Sequence, residues 1–203
     1  MSKAVNRSPA GPVPVPPRDR ILRAARDLFY RHGIRAIGVD AIAEAAETNK
    51  MTLYRHFHSK DVLVAEYLKE LAAEGDAVWE RLAKAHPGDP HGQIQGWLRH
   101  VEDILANVGE QGCAVANAAV ELREMDHPAR HVIEDYKTRK RQRMVTLFGE
   151  AGYAEPERLA DEVFLLFEGA RISIQCAGRS GPSSRVVPML RMLLAEHDPR
   201  SAR

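Results

Sequence analysis

Hydrophobic residues recur at helical spacing along most of this 203-residue chain, and no stretch of useful length alternates as a half-buried strand does. The first apolar stripe begins after Arg18 and ends at Gly33, a residue typical of helix ends. A second, short stripe runs from Val39 to Ala46. Later helices are predicted over residues 91–108, 113–124, 128–150, 156–179 and 184–196. The pattern therefore predicts an all-α protein with about nine helices.

The stretch NKMTLYRHFHSK, residues 49–60, has an unusual polar face for a short helix. Asn49 is a good N-cap, and Leu53 and Phe57 lie four residues apart on one face. The remaining positions are hydroxylated, aromatic, cationic or thioether side chains, and no acid occurs between Asn49 and Lys60. Two short helices joined by a tight turn, with such a face outward, are typical of a helix-turn-helix that enters the major groove. Ser59 then caps a fourth helix that runs to about Ala85.

The charge distribution supports the same interpretation. Residues 1–60 contain 11 Lys/Arg and 5 Asp/Glu, a net charge of +6, whereas the remainder carries 18 basic and 23 acidic residues, a net charge of −5. A basic end joined to an acidic body suggests that the basic end binds a polyanion. Chance clustering of basic residues on a solvated face is the alternative.

Composition excludes several other classes of protein. No apolar run approaches the roughly 20 residues that span a bilayer, so we predict no membrane partner. The Pro-rich first 17 residues lack the apolar core of a signal peptide, and we expect them to form a disordered tail. Cys113 and Cys176 have no metal-binding spacing, which favours reduced thiols in a cytoplasmic protein.

The segment VDAIAEAAETNKMTLYRHFHSKDVL, residues 39–63, resembles the DNA-binding segment of the TetR family of bacterial transcriptional regulators. The resemblance implies a three-helix helix-turn-helix domain over residues 18–64 and a helical effector-binding and dimerisation domain over residues 65–203. Two positions depart from the family pattern. Glu47 stands where the family usually has glycine, and Gly38 takes the place of the usual Thr or Ser cap.

The resemblance also assigns the residues that contact DNA. It places Lys50, Met51 and Thr52 near base edges, while Tyr54 and His56 would donate to phosphates and Arg55 suits either role. Lys60, at the start of the fourth helix, would contact the DNA backbone. The alternatives are partial core packing for Tyr54 and a solvated surface position for Lys60.

The body is similar to the family's effector and dimerisation domain at residues 112–122 and 159–175. Residues 159–176 are apolar on more than one face, so we expect the last two helices, about 156–196, to form a homodimer interface. A core helix of a monomer is the alternative. A small-molecule pocket is also predicted in the body. Its predicted wall and polar residues are Trp97, His100, Val101, Ile104, Asn117, Glu121, Tyr136, Phe164 and Phe167.

Catalytic patterns are weak in this chain. A di-iron bundle needs two Glu-x-x-His pairs, and only Glu124 and His127 have that spacing. Pro128 is expected at the first helical position, which places His127 outside the helix. Cys113 suits either a redox trigger or a small buried hydrophobe.

These patterns predict a non-enzymatic protein without a metal or cofactor, specifically a repressor that a small-molecule effector releases from a palindromic DNA operator. A constitutive or architectural dimeric DNA-binding protein, which binds no ligand, is the alternative, and a helical enzyme is a third hypothesis.

Overall fold

The computed structural model describes residues 15–107, 112–198 and 200, and these residues form nine α-helices, one 3-10 turn and no strand. The all-α prediction is confirmed. The 3-10 turn is Pro182–Arg185. The helices are α1 (Pro17–His32), α2 (Val39–Ala45), α3 (Lys50–Phe57), α4 (Lys60–Ala85), α5 (Pro90–Asn107), α6 (Ala114–Glu121), α7 (Pro128–Glu150), α8 (Pro156–Ala177) and α9 (Val186–Glu196).

Most predicted bounds agree with these helices, and the differences have local causes. The helix predicted over residues 113–124 ends at Glu121, where the Leu122 N–H closes its last turn on the Ala118 carbonyl. The last helix begins only at Val186, after the 3-10 turn. Pro17, predicted to lie in the tail, is the first residue of α1, where a missing N–H costs nothing. Residues 1–14 of the predicted tail, together with 108–111, lie outside the described residues.

Side-chain caps fix where four of the helices begin, and at α5 the Asp89 carboxylate accepts from the Gly92 N–H at 2.8 Å. The Asn49 side chain accepts from the Thr52 N–H at 2.9 Å, and the Ser59 hydroxyl accepts from the Val62 N–H at 3.1 Å. His127 lies outside α7, as predicted, and its Nδ1 accepts from the Ala129 N–H at 3.1 Å. These bonds satisfy backbone donors that a helix leaves open at its first turn.

The turn between α2 and α3 is a Schellman motif centred on Glu47. The Thr48 N–H donates to the Ala43 carbonyl at 2.9 Å, and the Glu47 N–H donates to the Glu44 carbonyl at 3.0 Å. Glu47 has a φ of 50°, in the left-handed region that favours glycine. The residue that departs from the family's glycine therefore has a backbone conformation that favours glycine.

Two hydrophobic cores are joined by the 26-residue helix α4. The first core packs α1, α2 and α3 against the start of α4, and it also takes in residues of α6 and the start of α7. The second core lies among α5, α7, α8 and α9. The N-terminal domain therefore continues structurally into the body, and the border predicted at residue 64 falls within α4 and stays a prediction. None of the helices described here has the length and hydropathy needed to cross a bilayer.

Candidate nucleic-acid interface

Helix α3 presents the face that its sequence predicted. Leu53 and Phe57 are fully buried in the N-terminal core, whereas Met51 is 79% exposed. Lys50 and Arg55 are also exposed, Thr52 is half-buried, and Tyr54 keeps 36% of its surface in solvent. The 79% exposure of the Met51 thioether leaves it accessible for a contact with another molecule.

The two cations of α3 differ in their surroundings. Lys50 Nζ lies 3.2 Å from the Asp40 carboxylate of α2, and both side chains are about half exposed or more. Such a surface pair contributes about 0–1 kcal/mol, so a phosphate can compete with Asp40 for this ammonium. Arg55 forms no ion pair within the part of the chain that the structure describes.

His56 and Lys60 are less exposed than the sequence indicated. The His56 ring packs beside Phe57, and its Nε2 is buried without a hydrogen-bond partner among the described residues. Lys60 Nζ donates to the Ile34 carbonyl at 2.6 Å, and burial lowers the pKa of this lysine. In this form Lys60 therefore ties the start of α4 to the α1–α2 turn. The phosphate contacts predicted for both residues stay predictions.

Some of the basic side chains of the N-terminal segment form ion pairs within the subunit. Arg18 lies 2.7 Å from Glu66, and Arg26 forms two bonds with Glu74, one of them at 2.8 Å. Both glutamates belong to α4, beyond the sixty residues whose net charge is +6. The net charge available for DNA is therefore smaller than the local composition suggests.

A cleft of about 540 Å³ separates the end of α1 from α6 and α8. Two of the predicted polar ligand contacts, Asn117 and Glu121, line it together with aromatic residues of α1 and α4. Glu121 Oε2 accepts from the Arg35 N–H at 2.9 Å, so α6 is bonded directly to the α1–α2 turn. A Cβ on Gly33 would lie 3.0 Å from that oxygen, so glycine permits this close approach.

The other predicted pocket residues lie deeper in the body. Trp97, Val101 and Phe167 are buried in the second core, and Ile104 and Phe164 pack against it. Tyr136 lies against the first core, and His100 is half-buried on α5. The residues predicted to line one pocket therefore lie in different parts of the body. Burial raises the pKa of Tyr136 to about 12.

A buried ionic cluster lies beside these aromatic residues, and sequence reasoning missed it. Lys140 is only 6% exposed, and its Nζ lies 3.0 Å from Glu168 Oε1. Lys137 Nζ lies 2.5 Å from the other oxygen of the same carboxylate. Burial lowers the pKa of Lys140 to about 8. Burial also opposes the ionisation of Glu168, but the two lysine ammonium groups have the larger effect and lower the pKa of Glu168 to about 2. The stretch around Lys140 is so rich in charged residues that its pattern indicates a solvated helix face. The sequence pattern therefore did not predict a buried ionic cluster there.

The predicted dimer helices also divide into core and surface residues. Leu159, Val163 and Leu190 are buried within their own subunit. In contrast, Leu165 and Met192 are 69% and 67% exposed. A groove of about 430 Å³, with a mainly apolar lining, runs between α8 and the start of α9. The unpartnered apolar surface is therefore narrower than the sequence indicated, and Leu190 is not part of it.

The candidate enzymatic residues have structural partners. Glu124 accepts from Arg35 Nη2 at 2.7 Å, and His127 Nε2 lies 3.4 Å from Asp61. Cys113 is buried in the first core, Cys176 is exposed, and both are free thiols. No group of three or more His, Cys, Asp or Glu residues suited to a metal ion occurs among the described residues.

Comparison with known proteins agrees with this geometry. Residues 21–67 match the family model described as bacterial regulatory proteins, tetR family. Over 87 residues the chain is 34% identical to the HTH-type transcriptional repressor SCO4008 of Streptomyces coelicolor, a match that covers 43% of this chain and 41% of that protein. The chain thus spans less than half the length of that curated relative.

Solved structures extend the similarity over nearly the whole chain. The structure of SCO4454, a TetR-family transcriptional regulator from Streptomyces coelicolor, has a TM-score of 0.82 at 25% identity and covers 90% of this chain and 96% of its own. The structure of a tetR-type regulator, sav143 from Streptomyces avermitilis, has a TM-score of 0.73 at 32% identity and covers 91% of this chain and 99% of its own.

Proposed function

We propose that this chain, which belongs to the TetR family of bacterial transcriptional regulators, is a homodimeric repressor that binds a palindromic operator and is released by a small-molecule effector. The exposed face of α3 carries the proposal. A short helix anchored by Leu53 and Phe57 leaves Lys50, Met51 and Thr52 at its first turn, where a recognition helix contacts base edges.

The apolar surface of α8 and α9 supports the proposed dimer. A single α3 reads only a few base pairs, whereas two copies related by a two-fold axis read both halves of a palindrome. The half-site centres would then lie roughly 34–36 Å apart, or slightly more. Leu165 and Met192 are the residues we place at the centre of the interface, since they are the most exposed apolar side chains of the two helices.

Release by an effector requires a link between the body and α3. Glu121 supplies one, because its carboxylate holds the Arg35 N–H of the α1–α2 turn. Helix α4 supplies another, because its start lies in the first core and its Trp79 and Leu82 pack against the second. A coupling free energy of about 1–3 kcal/mol between effector and operator would change operator affinity about 5–150-fold.

Selection of bound sequences from a random DNA pool tests the proposal directly. We expect enrichment of an inverted repeat that is bound by a dimer, with a scrambled sequence bound far more weakly at the same salt concentration. Recovery of no common sequence, with equally tight binding to every duplex, would refute the repressor and favour the architectural alternative. Sedimentation of the complex gives the number of subunits on the enriched duplex.

A further inference from the structure

The Lys137–Lys140–Glu168 cluster, extended by Arg171, contains more cations than carboxylates. Lys140 and Lys137 share the two oxygens of Glu168. Arg171 lies one turn further along α8, with its guanidinium 5.7 Å from the ring centroid of Phe167. Among the described residues, Glu168 is the one carboxylate within ion-pair distance of either lysine. One negative charge therefore faces three positive side chains.

Arg171 also has a buried donor for which the described part of the chain offers no acceptor. Its Nε is buried and makes no hydrogen bond among the described residues. A buried guanidinium N–H that finds no acceptor is costly, and such groups in native proteins call for a specific explanation. An anion beside Arg171 would supply that acceptor and would reduce the excess of positive charge.

The surroundings of the cluster suit the apolar part of a ligand. Lys140 Nζ lies 4.1 Å from the ring centroid of Phe167 and 5.5 Å from that of Phe164. Trp97 packs edge-on against Phe167 with ring centroids 6.0 Å apart. Most known small-molecule sites combine such aromatic walls with a few placed polar groups. Lys137 and Glu168 remain about one-fifth exposed, which leaves an edge of the cluster open to solvent.

His100 adds a neutral polar group on α5. Burial lowers its pKa, and the charges of Arg81, Lys140 and Arg171 lower it further, while Asp103 opposes them. A neutral imidazole can donate one hydrogen bond to a carboxylate without adding a further positive charge. The cations of α7 and α8, their aromatic neighbours and the imidazole of α5 are thus chemically suited to an anion with an apolar body.

We propose that this cluster binds an organic carboxylate, with the carboxylate paired to Lys140 and Arg171 and the apolar body against Phe164 and Phe167, and that such an anion is the effector. The proposal deepens the proposed function and rests on it, because it names the chemical class of the effector. The carboxylate would compete with Glu168 for Lys140, while Lys137 keeps its bond to Glu168.

The position of the cluster gives the anion a route to α4. Tyr136, one residue before Lys137, packs so closely on α4 that a Cβ on Gly75 would lie 2.2 Å from its hydroxyl oxygen. Arg139 lies 3.2 Å from Asp76 of α4, and Arg143 lies 3.7 Å from the same carboxylate. A shift of α7 that admits the ligand would therefore move α4, which begins at the DNA-binding domain.

Three probes of one shape but different charge test the chemical class: benzoate, benzamide and benzylamine. The chain has two tryptophans, and both report on the site, because Trp79 stacks on Trp97 and Trp97 contacts Phe167. We expect saturable changes in tryptophan emission with benzoate at millimolar concentrations. Benzamide should bind at least about tenfold more weakly, since it lacks the charge-assisted bonds, and benzylamine should not bind.

Substitutions locate the binding. Lys140→Met keeps the aliphatic stem and should weaken benzoate binding at least about tenfold, and Arg171→Gln should do the same. Lys69→Met, at an exposed lysine of α4, is the matched control and should bind benzoate as the wild type does. Circular dichroism verifies that each variant is folded, and Arg171→Gln decides the outcome if Lys140→Met is not. Equal binding of benzylamine, unchanged benzoate binding in a folded variant, or no response to benzoate would overturn the anion site.

Operator binding separates this proposal from the regulator on which it rests. We expect benzoate to lower the affinity of the wild type for the selected operator and to leave Lys140→Met unaffected. Benzoate bound through Lys140 without any change in operator affinity would overturn its role as effector. Failure of the protein to select any operator would instead refute the regulator, whatever the benzoate titration showed.

Discussion

Replacing Glu47 by glycine should stabilise the protein, although the substitution removes a side chain. Glu47 holds the left-handed position of the Schellman motif between α2 and α3, with a φ of 50°. That conformation costs a residue with a Cβ about 1–2 kcal/mol, whereas it costs glycine almost nothing. Glycine in turn loses about 0.4–1 kcal/mol because it gives the unfolded chain more freedom. The net expectation for Glu47→Gly is a gain of about 0–1.6 kcal/mol, with a central value of about 0.8 kcal/mol.

The lost side-chain interactions do not change this balance. The Glu47 side chain is 88% exposed, and its carboxylate lies 3.8 Å from Arg20, a weak surface pair. A negative charge near the C-terminus of α2 is itself slightly unfavourable. Glu47→Ala is the matched control, because it removes the same charge and the same pair but keeps a Cβ. The difference between the glycine and alanine variants therefore isolates the backbone conformation.

Thermal unfolding at one fixed protein concentration is a suitable assay, because the midpoint of a dimer depends on concentration. For a chain of this length the expected gain corresponds to a rise of about 1–4 °C in Tm. The alanine variant should unfold within about 1 °C of the wild type, since surface substitutions usually have small effects. A glycine variant no more stable than the alanine variant would mean that the turn stores no strain at this position.

Four further predictions follow from the same contacts. If Lys60 contacts a phosphate, Lys60→Ala should weaken binding to all duplexes about equally and reduce the slope of log affinity against log salt concentration by about one. An unchanged slope would mean that Lys60 only bonds to the α1–α2 turn within the subunit. The double variant Met51→Ala, Thr52→Ala should lower the ratio of operator to scrambled-DNA affinity by about 1–3 kcal/mol per lost base contact, with non-specific binding nearly unchanged; an unaltered ratio would contradict base reading. Leu165→Glu should give soluble monomers in sedimentation and abolish operator binding, while Leu165→Ala retains the dimer; a dimeric glutamate variant would exclude this face. Acidification should destabilise the wild type as pH falls from 4.5 to about 2, because Glu168 then becomes protonated and loses its two ion pairs. Glu168→Gln should flatten the pH dependence of the free energy of unfolding measured in urea, and parallel curves for the two proteins would contradict the pairing.

The local elements were predictable because their signals are local. Caps such as Asn49 and Ser59 act over three residues, and the apolar stripe of Leu53 and Phe57 acts over four. The exposed face of α3 follows from its buried face by geometry alone. Even the strained turn at Glu47 was visible, because one residue departs from a family pattern in which that position is usually glycine.

The long-range contacts were not predictable from the same information. Arg18 and Arg26 bind glutamates 48 residues away, so a charge summed over the first 60 residues could not account for them. Lys140 lies in a stretch whose composition is typical of a solvated helix face, and only the approach of α8 buries it against Glu168. Leu190 and Leu165 are both apolar residues of the predicted interface, yet one is fully buried in its own subunit and the other is exposed. Burial of this kind depends on how α5, α8 and α9 pack, which helical periodicity does not specify.

The α1–α2 turn is the place where these long-range contacts bear on function. Two neighbouring residues of the turn are held from different helices, Ile34 by the Lys60 ammonium at the start of α4 and Arg35 by the Glu121 carboxylate at the end of α6. Hydrogen bonds to charged groups contribute about 1.5–3 kcal/mol each. That range matches the 1–3 kcal/mol that typical allosteric coupling requires. The loss of one of these bonds when α4 or α6 shifts would therefore change the relative stability of two orientations of the DNA-binding domain by about the amount that coupling requires, without any unfolding of its core.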